Sequence, residues 1–358
     1  MLPAEHRSLG RCGVMLPQLG FGCAPIGELF TRVSDEDAEA TLQAAWNAGI
    51  RYFDTAPWYG RGMSERRLGA FLSTQPRDSF TVSTKVGRIL DQPQRPEDLA
   101  GTPWVGGDSM VHRFDYTYDG IMRSYEDSLK RLKLDRVDLL LIHDLDYMHH
   151  ATAEAVAARM EQLTTGGGWR ALSELKDSRA IRGIGSGVNE LGTIPRMLDA
   201  VDIDFFLVAL RYTLMEQETL ISELPRCAKD NIGVIIGGVF NSGITATGAI
   251  EGAKYNYREP TSTEYDKVRR IEAVCHRHGV ALAAAAIQFP LAHPSVASII
   301  PGAFKPDHVE KNIDALACPI PTALWRDLKS ENLLRQDAPV PAVASKDCQP
   351  RRACAPEL

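Results

Sequence analysis

The chain has 358 residues, 44% hydrophobic and 24% charged, with a formal net charge of −6. That balance belongs to an ordinary globular protein able to bury a large core, and no apolar run approaches the ~20 residues that a membrane helix requires. A net negative chain offers no general basic field to a phosphate backbone, which turns expectation away from nucleic acid and toward small molecules.

The opening stretch, MLPAEHRSLGRCGVMLPQLG, lacks the continuous apolar centre of an export signal, so a cytoplasmic location is expected. Seven cysteines without a CxxC pair suit reduced thiols, and Cys23, Cys227 and Cys275 read as small core residues.

From there, short β-branched or aromatic runs alternate with stretches of helical period. The runs are approximately Leu19 to Ala24, Arg51 to Asp54, Ser79 to Val86, Val137 to His143, Ile181 to Val188, Phe205 to Leu210, Gly233 to Gly238, and Ala297 to Pro301. Alternation of this kind implies a parallel sheet with helices outside it, and eight runs is the number that closes an α/β barrel, the (β/α)8 or TIM fold. After the first run, Ser34 caps a helix over SDEDAEATLQAAW that turns Ala38, Leu42, Ala45 and Trp46 inward and stops at Gly49. Another helix starts near Asp119 with Ile121, Tyr125, Leu129 and Leu132 on one face. Between the third run and that helix, residues 88–118 are a long Pro- and Gly-bearing connection, a candidate lid. We expect one barrel domain over residues 1–334 and a poorly ordered tail over 335–358, which is rich in Pro and Ala.

In barrel enzymes the working side chains terminate the strands, so polar residues ending each apolar run are the candidates. GIRYFDTAPWYG supplies Asp54 and Tyr59, STKVG supplies Lys85, and LLLIHD supplies His143. Singly, each is as readily a cap, a packing residue, a solvated amine or a satisfied core histidine. Together they form a set: a phenol with a reference pKa of about 10 needs a neighbouring ammonium to favour phenolate, the ammonium needs a carboxylate, and an imidazole can orient the substrate oxygen.

These motifs, with IGSGVNE and IIPG, occur in order over about residues 17–315 and resemble the aldo-keto reductases. The resemblance implies that Asp54, Tyr59, Lys85 and His143 are a catalytic tetrad, Tyr59 transferring the proton. It implies that Asn189 holds the nicotinamide carboxamide, although Val188 and Ala209 replace the serine and glutamine common beside it. In GGVFNSG, Asn241, Ser242 and Gly243 fit the loop around the pyrophosphate. In IIPGAFKPDHVEKN, Asn312 sits at the adenine-contacting position. Gly302 and His308, with Ala303, replace the lysine, serine and arginine of NADP-dependent relatives, which favours NAD, while Lys305 keeps NADP open.

Flanking motifs resemble most the branch holding aldose 1-dehydrogenases, which act on L-fucose and D-threo-aldoses, and pyridoxal 4-dehydrogenases. The implied reaction is oxidation of a hemiacetal carbon to a lactone; a general aldehyde or ketone reductase is a further alternative. Trp58, Trp104, His112 and Phe114 are the expected pocket walls. Two other classes compete: a regulatory subunit of a potassium channel on the same fold, and a metal-dependent barrel hydrolase suggested by His149–His150 and by His276 with His278. No metal is expected, because neither histidine pair is read at a strand end beside carboxylates.

Overall fold

The computed structural model describes residues 5–342. Its central strands are β1 (Phe21–Gly22), β2 (Tyr52–Asp54), β3 (Thr81–Val86), β4 (Leu139–His143), β5 (Gly183–Val188), β6 (Phe205–Ala209), β7 (Gly233–Gly237) and β8 (Val296–Ile300). Neighbours pair in parallel and in chain order. Bridges from Leu19 to Ile299 and from Gly22 to Gly302 join the first strand to the last, so the sheet closes into the expected (β/α)8 barrel.

Closure makes alternate residues of every strand face the interior. Tyr52, Leu139, Leu141, Phe205, Leu207 and Ile235 fill it, whereas Phe53, Val82, Leu140, Ile142, Phe206 and Val234 belong to the layer shared with the helices. Continuing the same period outward puts Asp54, Lys85 and His143 on inner-facing positions at the C-terminal strand ends. Strand β5 makes room for the bulky neighbours: a Cβ at Gly185 would lie 2.5 Å from the Phe205 ring.

Two ribbons missed by the strand-counting argument complete the barrel. His6–Ser8 pairs antiparallel with Met15–Pro17, and the buried Leu9, Val14 and Leu16 join the inner core from the end opposite His143. The long connection after β3 contains an antiparallel hairpin, Arg88–Asp91 with Val111–Phe114. Short strands with polar tips carry little hydrophobic alternation, which explains why neither stood out.

The helix over Asp35–Asn47 is capped as expected, the Ser34 hydroxyl accepting from the Asp37 amide at 3.0 Å. The helix over Met63–Leu72, immediately after Tyr59, packs on the helix over Tyr118–Leu132 through Gly69. Its buried Glu65 accepts from Thr84 of β3 and Arg131 of the second helix, each at 2.6 Å, tying both helices to the barrel. At the C-terminal side, Ala338 is buried and its carbonyl accepts from Lys329 at 2.7 Å, so the first part of the expected tail packs; residues 343–358 lie outside the described residues. Among the described residues no helix is long and apolar enough to cross a membrane.

A Cβ at Gly69 would sit 2.4 Å from the Leu132 carbonyl oxygen, which is backbone and cannot turn away. Gly69→Ala is expected to destabilise the fold by about 1–3 kcal/mol in chemical denaturation, as overpacking does. An unchanged midpoint would mean that the two helices do not meet there.

Candidate active site

The four residues proposed as a catalytic set converge at the mouth of the barrel. Lys85 Nζ donates to Asp54 Oδ2 at 2.7 Å, to the Thr55 carbonyl at 2.9 Å and to the Tyr59 hydroxyl at 3.1 Å. The Tyr52 and Ser83 hydroxyls lie 3.0 Å apart, and Ser83 donates onward to the other Asp54 oxygen at 2.7 Å, so both carboxylate oxygens are held from inside the barrel. The His143 and Tyr59 rings lie edge to face with centroids 6.0 Å apart.

The electrostatics differ from the expectation in one respect. Burial pushes the Tyr59 phenol well above its ordinary range, with Asp54 and Asp144 adding to the shift and Arg88 opposing it. The ammonium does not produce a phenolate, because burial first and then the Asp54 charge against it keep the phenol protonated. Tyr59 is therefore a neutral proton donor at rest. Burial likewise drives His143 well below the usual imidazole range, against the pull of Asp144.

Two continuous cavities meet at Tyr59. The larger, about 1320 Å³, runs from Gly22 and Asp54 past Gly237–Phe240, Ser242 and Gly243 to Gly302, Phe304, His308, Lys311 and Asn312. The smaller, about 740 Å³, is bounded by Trp58, Trp104, His112, Phe114, Lys85, Arg88, His143, Asp144 and Asn189. Tyr257 borders both. All four expected pocket walls thus surround one space, with Trp58 and His112 rings 4.3 Å apart and Trp58 edge-on to Trp104 at 5.8 Å.

The larger cavity suits a dinucleotide. Gly243 has φ +118° and open space where a Cβ would stand, so the turn lets backbone approach a ligand closely. Ser242, Gly243, Gly302, His308 and Asn312 line it as read from the sequence. Three positions lie apart from that lining. Asn241 is fully buried and turned inward, its amide donating to the Leu210 carbonyl at 3.4 Å. Lys305 is exposed and is not among the lining residues; the lysine that lines the cavity is Lys311. Asn189 lies in the smaller cavity, where its amide donates to Asp144 Oδ1 at 2.9 Å. Lys305 precedes the helix Pro306–Ala317 and Lys311 lies on it, exposed at the cavity rim, and sequence offset alone does not tell which of the two borders the cavity.

Sequence reasoning also missed Arg88 and Asp144. Arg88 Nη2 donates to Asp144 Oδ2 at 2.6 Å, and both side chains are under 5% exposed. Burial alone would raise the Asp144 carboxyl, but His143, Arg88 and His149 outweigh it and hold it well below the carboxylate range. The aspartate following the strand-end histidine was the available signal. The reason given above against a histidine–carboxylate group also falls: His149 Nδ1 lies 2.7 Å from Asp146, and its Nε2 lies 3.5 Å from Asp144, just beyond β4. Burial opposes protonation of that imidazole, yet the two carboxylates raise it overall, as expected of an ion-paired histidine. His278 instead meets Asp327 at 2.8 Å on the outer helices.

Residues 18–332 match the Aldo/keto reductase family. The chain is 40% identical to a pyridoxal 4-dehydrogenase of Microbacterium luteolum, over 92% of this chain and 98% of that protein. It is 40% identical to a D-threo-aldose 1-dehydrogenase of a Pseudomonas species over 90% of this chain and 96% of that protein. An L-galactose dehydrogenase of Arabidopsis thaliana is 29% identical over 88% and 89%. Among solved structures, an aldo-keto reductase from Bacillus halodurans in its holo form superposes with a TM-score of 0.72 at 23% identity, over 96% of this chain and 99% of that one.

Two buried imidazoles, His143 and His293, and the half-buried His112 set an acid limit to stability. Burial lowers His143 far below its ordinary value, His112 to about 3 and His293 to about 4. Below pH 6.5 the unfolded chain takes up protons that the folded chain refuses, so stability falls as pH falls; each fully buried imidazole such as His143 removes up to about 1.4 kcal/mol per pH unit. His149, shifted upward, works in the opposite sense. Urea midpoints are expected to drop from pH 7 to pH 5, and to drop less in His293→Asn; a flat profile would contradict the burial of these rings.

Proposed function

The chain belongs to the aldo/keto reductase family, and from that premise we propose that it oxidises the C1 hemiacetal carbon of an aldose, L-fucose or a related D-threo-aldose, to the lactone. The family is one of NAD(P)-dependent oxidoreductases acting on small molecules, and the chain is an enzyme of that kind. The observation that carries the reading is the buried contact of Lys85 with both Asp54 and Tyr59 where the two cavities join.

When bound, the dinucleotide supplies the hydride acceptor at its nicotinamide ring. The chain's own residues do the rest. In the reductive direction the neutral Tyr59 phenol donates its proton to the substrate oxygen. In the oxidative direction Tyr59 first releases that proton to solvent and, as phenolate beside Lys85, takes the C1 hydroxyl proton, while His143, whose Nε2 side also faces Asp144, orients the same oxygen. Lys85 and Asp54 keep the Tyr59 hydroxyl in place at the junction of the two cavities, beside the aromatics that line the smaller one. Trp58, Trp104, His112 and Phe114 form the substrate walls, the aromatic faces suiting the apolar side of a sugar ring.

Ser242, Gly243, Gly302, His308 and Asn312 hold the dinucleotide, and NAD is favoured over NADP. Burial lowers the His308 imidazole, leaving a neutral ring where a 2′-phosphate would need a cation, and Lys311 lies 3.4 Å from Asp307. A cytoplasmic enzyme is proposed. A second reading, formation of 4-pyridoxolactone from the pyridoxal hemiacetal, draws support from the 40% identity to the Microbacterium enzyme.

Tyr59→Phe is expected to keep dinucleotide affinity and lose about 10²- to 10⁴-fold in kcat. Unchanged kcat would remove Tyr59 from the reaction. An absorbance assay of reduced nicotinamide with L-fucose, D-arabinose, L-galactose and pyridoxal separates the two substrates. Run with each dinucleotide, it is expected to give a higher kcat/KM with NAD; a clear preference for NADP would transfer the 2′-phosphate contact to Lys311.

A further inference from the structure

Arg88 and Asp144, both buried, form with the half-buried His112 a chain whose chemistry fixes where protons reside. Arg88 Nη1 lies 2.7 Å from His112 Nε2. A guanidinium only donates, so Nε2 must offer its lone pair and the ring's single proton must be on Nδ1. A second proton would set two N–H groups face to face. Accordingly His112 is pushed down to about 3, by burial first and then by Arg88 and His149, with Asp144 opposing. Those are the charged groups that act on it; its other neighbours include the Trp58 and Phe114 rings and Leu90 on the facing strand. Among the described residues Nδ1 has no hydrogen-bond partner, and His112 borders the substrate-side cavity.

The same carboxylate governs His143. Its Nε2 lies 3.3 Å from Asp144 Oδ2, while its Nδ1 is buried without a partner. A proton on Nδ1 would leave a buried donor unpaired and two lone-pair atoms opposed; a proton on Nε2 removes both penalties. Asp144 itself is held from three directions, by Arg88 on Oδ2, by Asn189 on Oδ1 and by His149 at 3.5 Å. Its backbone adopts φ +56°, a left-handed value costly for a residue with a side chain and found where surrounding contacts enforce it.

We infer that Asp144 is a positioning residue that sets both imidazole tautomers, acting on His143 directly and on His112 through Arg88. His112 Nδ1–H then serves as a fixed neutral donor for an oxygen flanking the reacting carbon. The inference rests on the reaction proposed above and names the ligand chemistry that this wall recognises: an acceptor oxygen beside the C–OH that loses hydride. A second ring hydroxyl of an aldose and the 3-oxygen of pyridoxal share that chemistry.

Nitrogen–proton correlation spectra of the histidine rings in the dinucleotide-bound protein test the tautomers without reference to turnover. The His112 signals are identified by their loss in His112→Gln. Between pH 5.5 and 8.5, His112 is expected to stay neutral with its proton on Nδ1, and His143 neutral with its proton on Nε2. A His112 ring that titrates in this range, or carries its proton on Nε2, overturns the inference.

Kinetics test the substrate contact. His112→Phe is expected to raise KM about tenfold for an aldose, with kcat within about twofold, and His112→Gln to restore part of the loss. The penalty should vanish for the analogue lacking the flanking hydroxyl. The same comparison with pyridoxal and 3-deoxypyridoxal distinguishes the two ligand sources. Equal KM in all three proteins overturns the substrate contact. A wild-type protein that oxidises no hemiacetal defeats the proposed function, and the spectra still decide the tautomers.

Discussion

The ion pair of Lys85 with Asp54 is the constraint around which the site is built. Each side chain is 1% exposed, and the two meet at 2.7 Å inside the last layer of the barrel. A charge buried to this extent is tolerated only when it is paired and its remaining hydrogen bonds are satisfied; removing one partner of such a pair typically costs about 3–5 kcal/mol. Here Ser83 holds the second carboxylate oxygen, and the Thr55 carbonyl and Tyr59 hydroxyl take the other ammonium protons. The consequence is geometric rather than acidifying: the pair fixes the phenol oxygen while its charges offset one another, and burial keeps Tyr59 protonated.

A second ionised group, Asp144, stands on the other side of the reacting space and has the opposite surroundings. Its partners are a guanidinium, an amide and two imidazoles, so its negative charge persists where desolvation alone would neutralise it. Between the two carboxylates lie His143 and Tyr59, both neutral. A site composed of neutral donors bracketed by paired charges can hold an uncharged, oxygen-rich substrate without further desolvation of ions.

The two cavities owe their shapes to different parts of the fold. The larger follows the C-terminal edge of the closed sheet, where β7, β8 and the glycine-bearing turn after β7 leave backbone exposed to a ligand. The smaller is roofed by the hairpin Arg88–Asp91 and Val111–Phe114, which is not part of the eightfold repeat. Arg61 ties this insertion down, donating to the carbonyls of Leu99 and Asp108. Barrel scaffolds separate the constant cofactor edge from variable loops in this way, and substrate choice resides in the latter.

Alternation of apolar runs with helical periods was sufficient to set the eight strands and their order, because closing a parallel sheet leaves few options for their topology. It also set the inward direction of Asp54, Lys85 and His143, since a period of two carries the barrel interior to the end of each strand. What pairs with what depended on atoms brought together from distant segments. Arg88 and His112 sit on opposite strands of a ribbon whose pairing no periodicity announced, and Asp144 meets Asn189 across 45 positions of chain. The inward turn of Asn241, and the place of Lys311 rather than Lys305 at the cavity rim, followed from local backbone and helix phase. Protonation was decided at the same level: sequence supplied an ammonium near a phenol, and only packing revealed that burial and the Asp54 charge outweigh it.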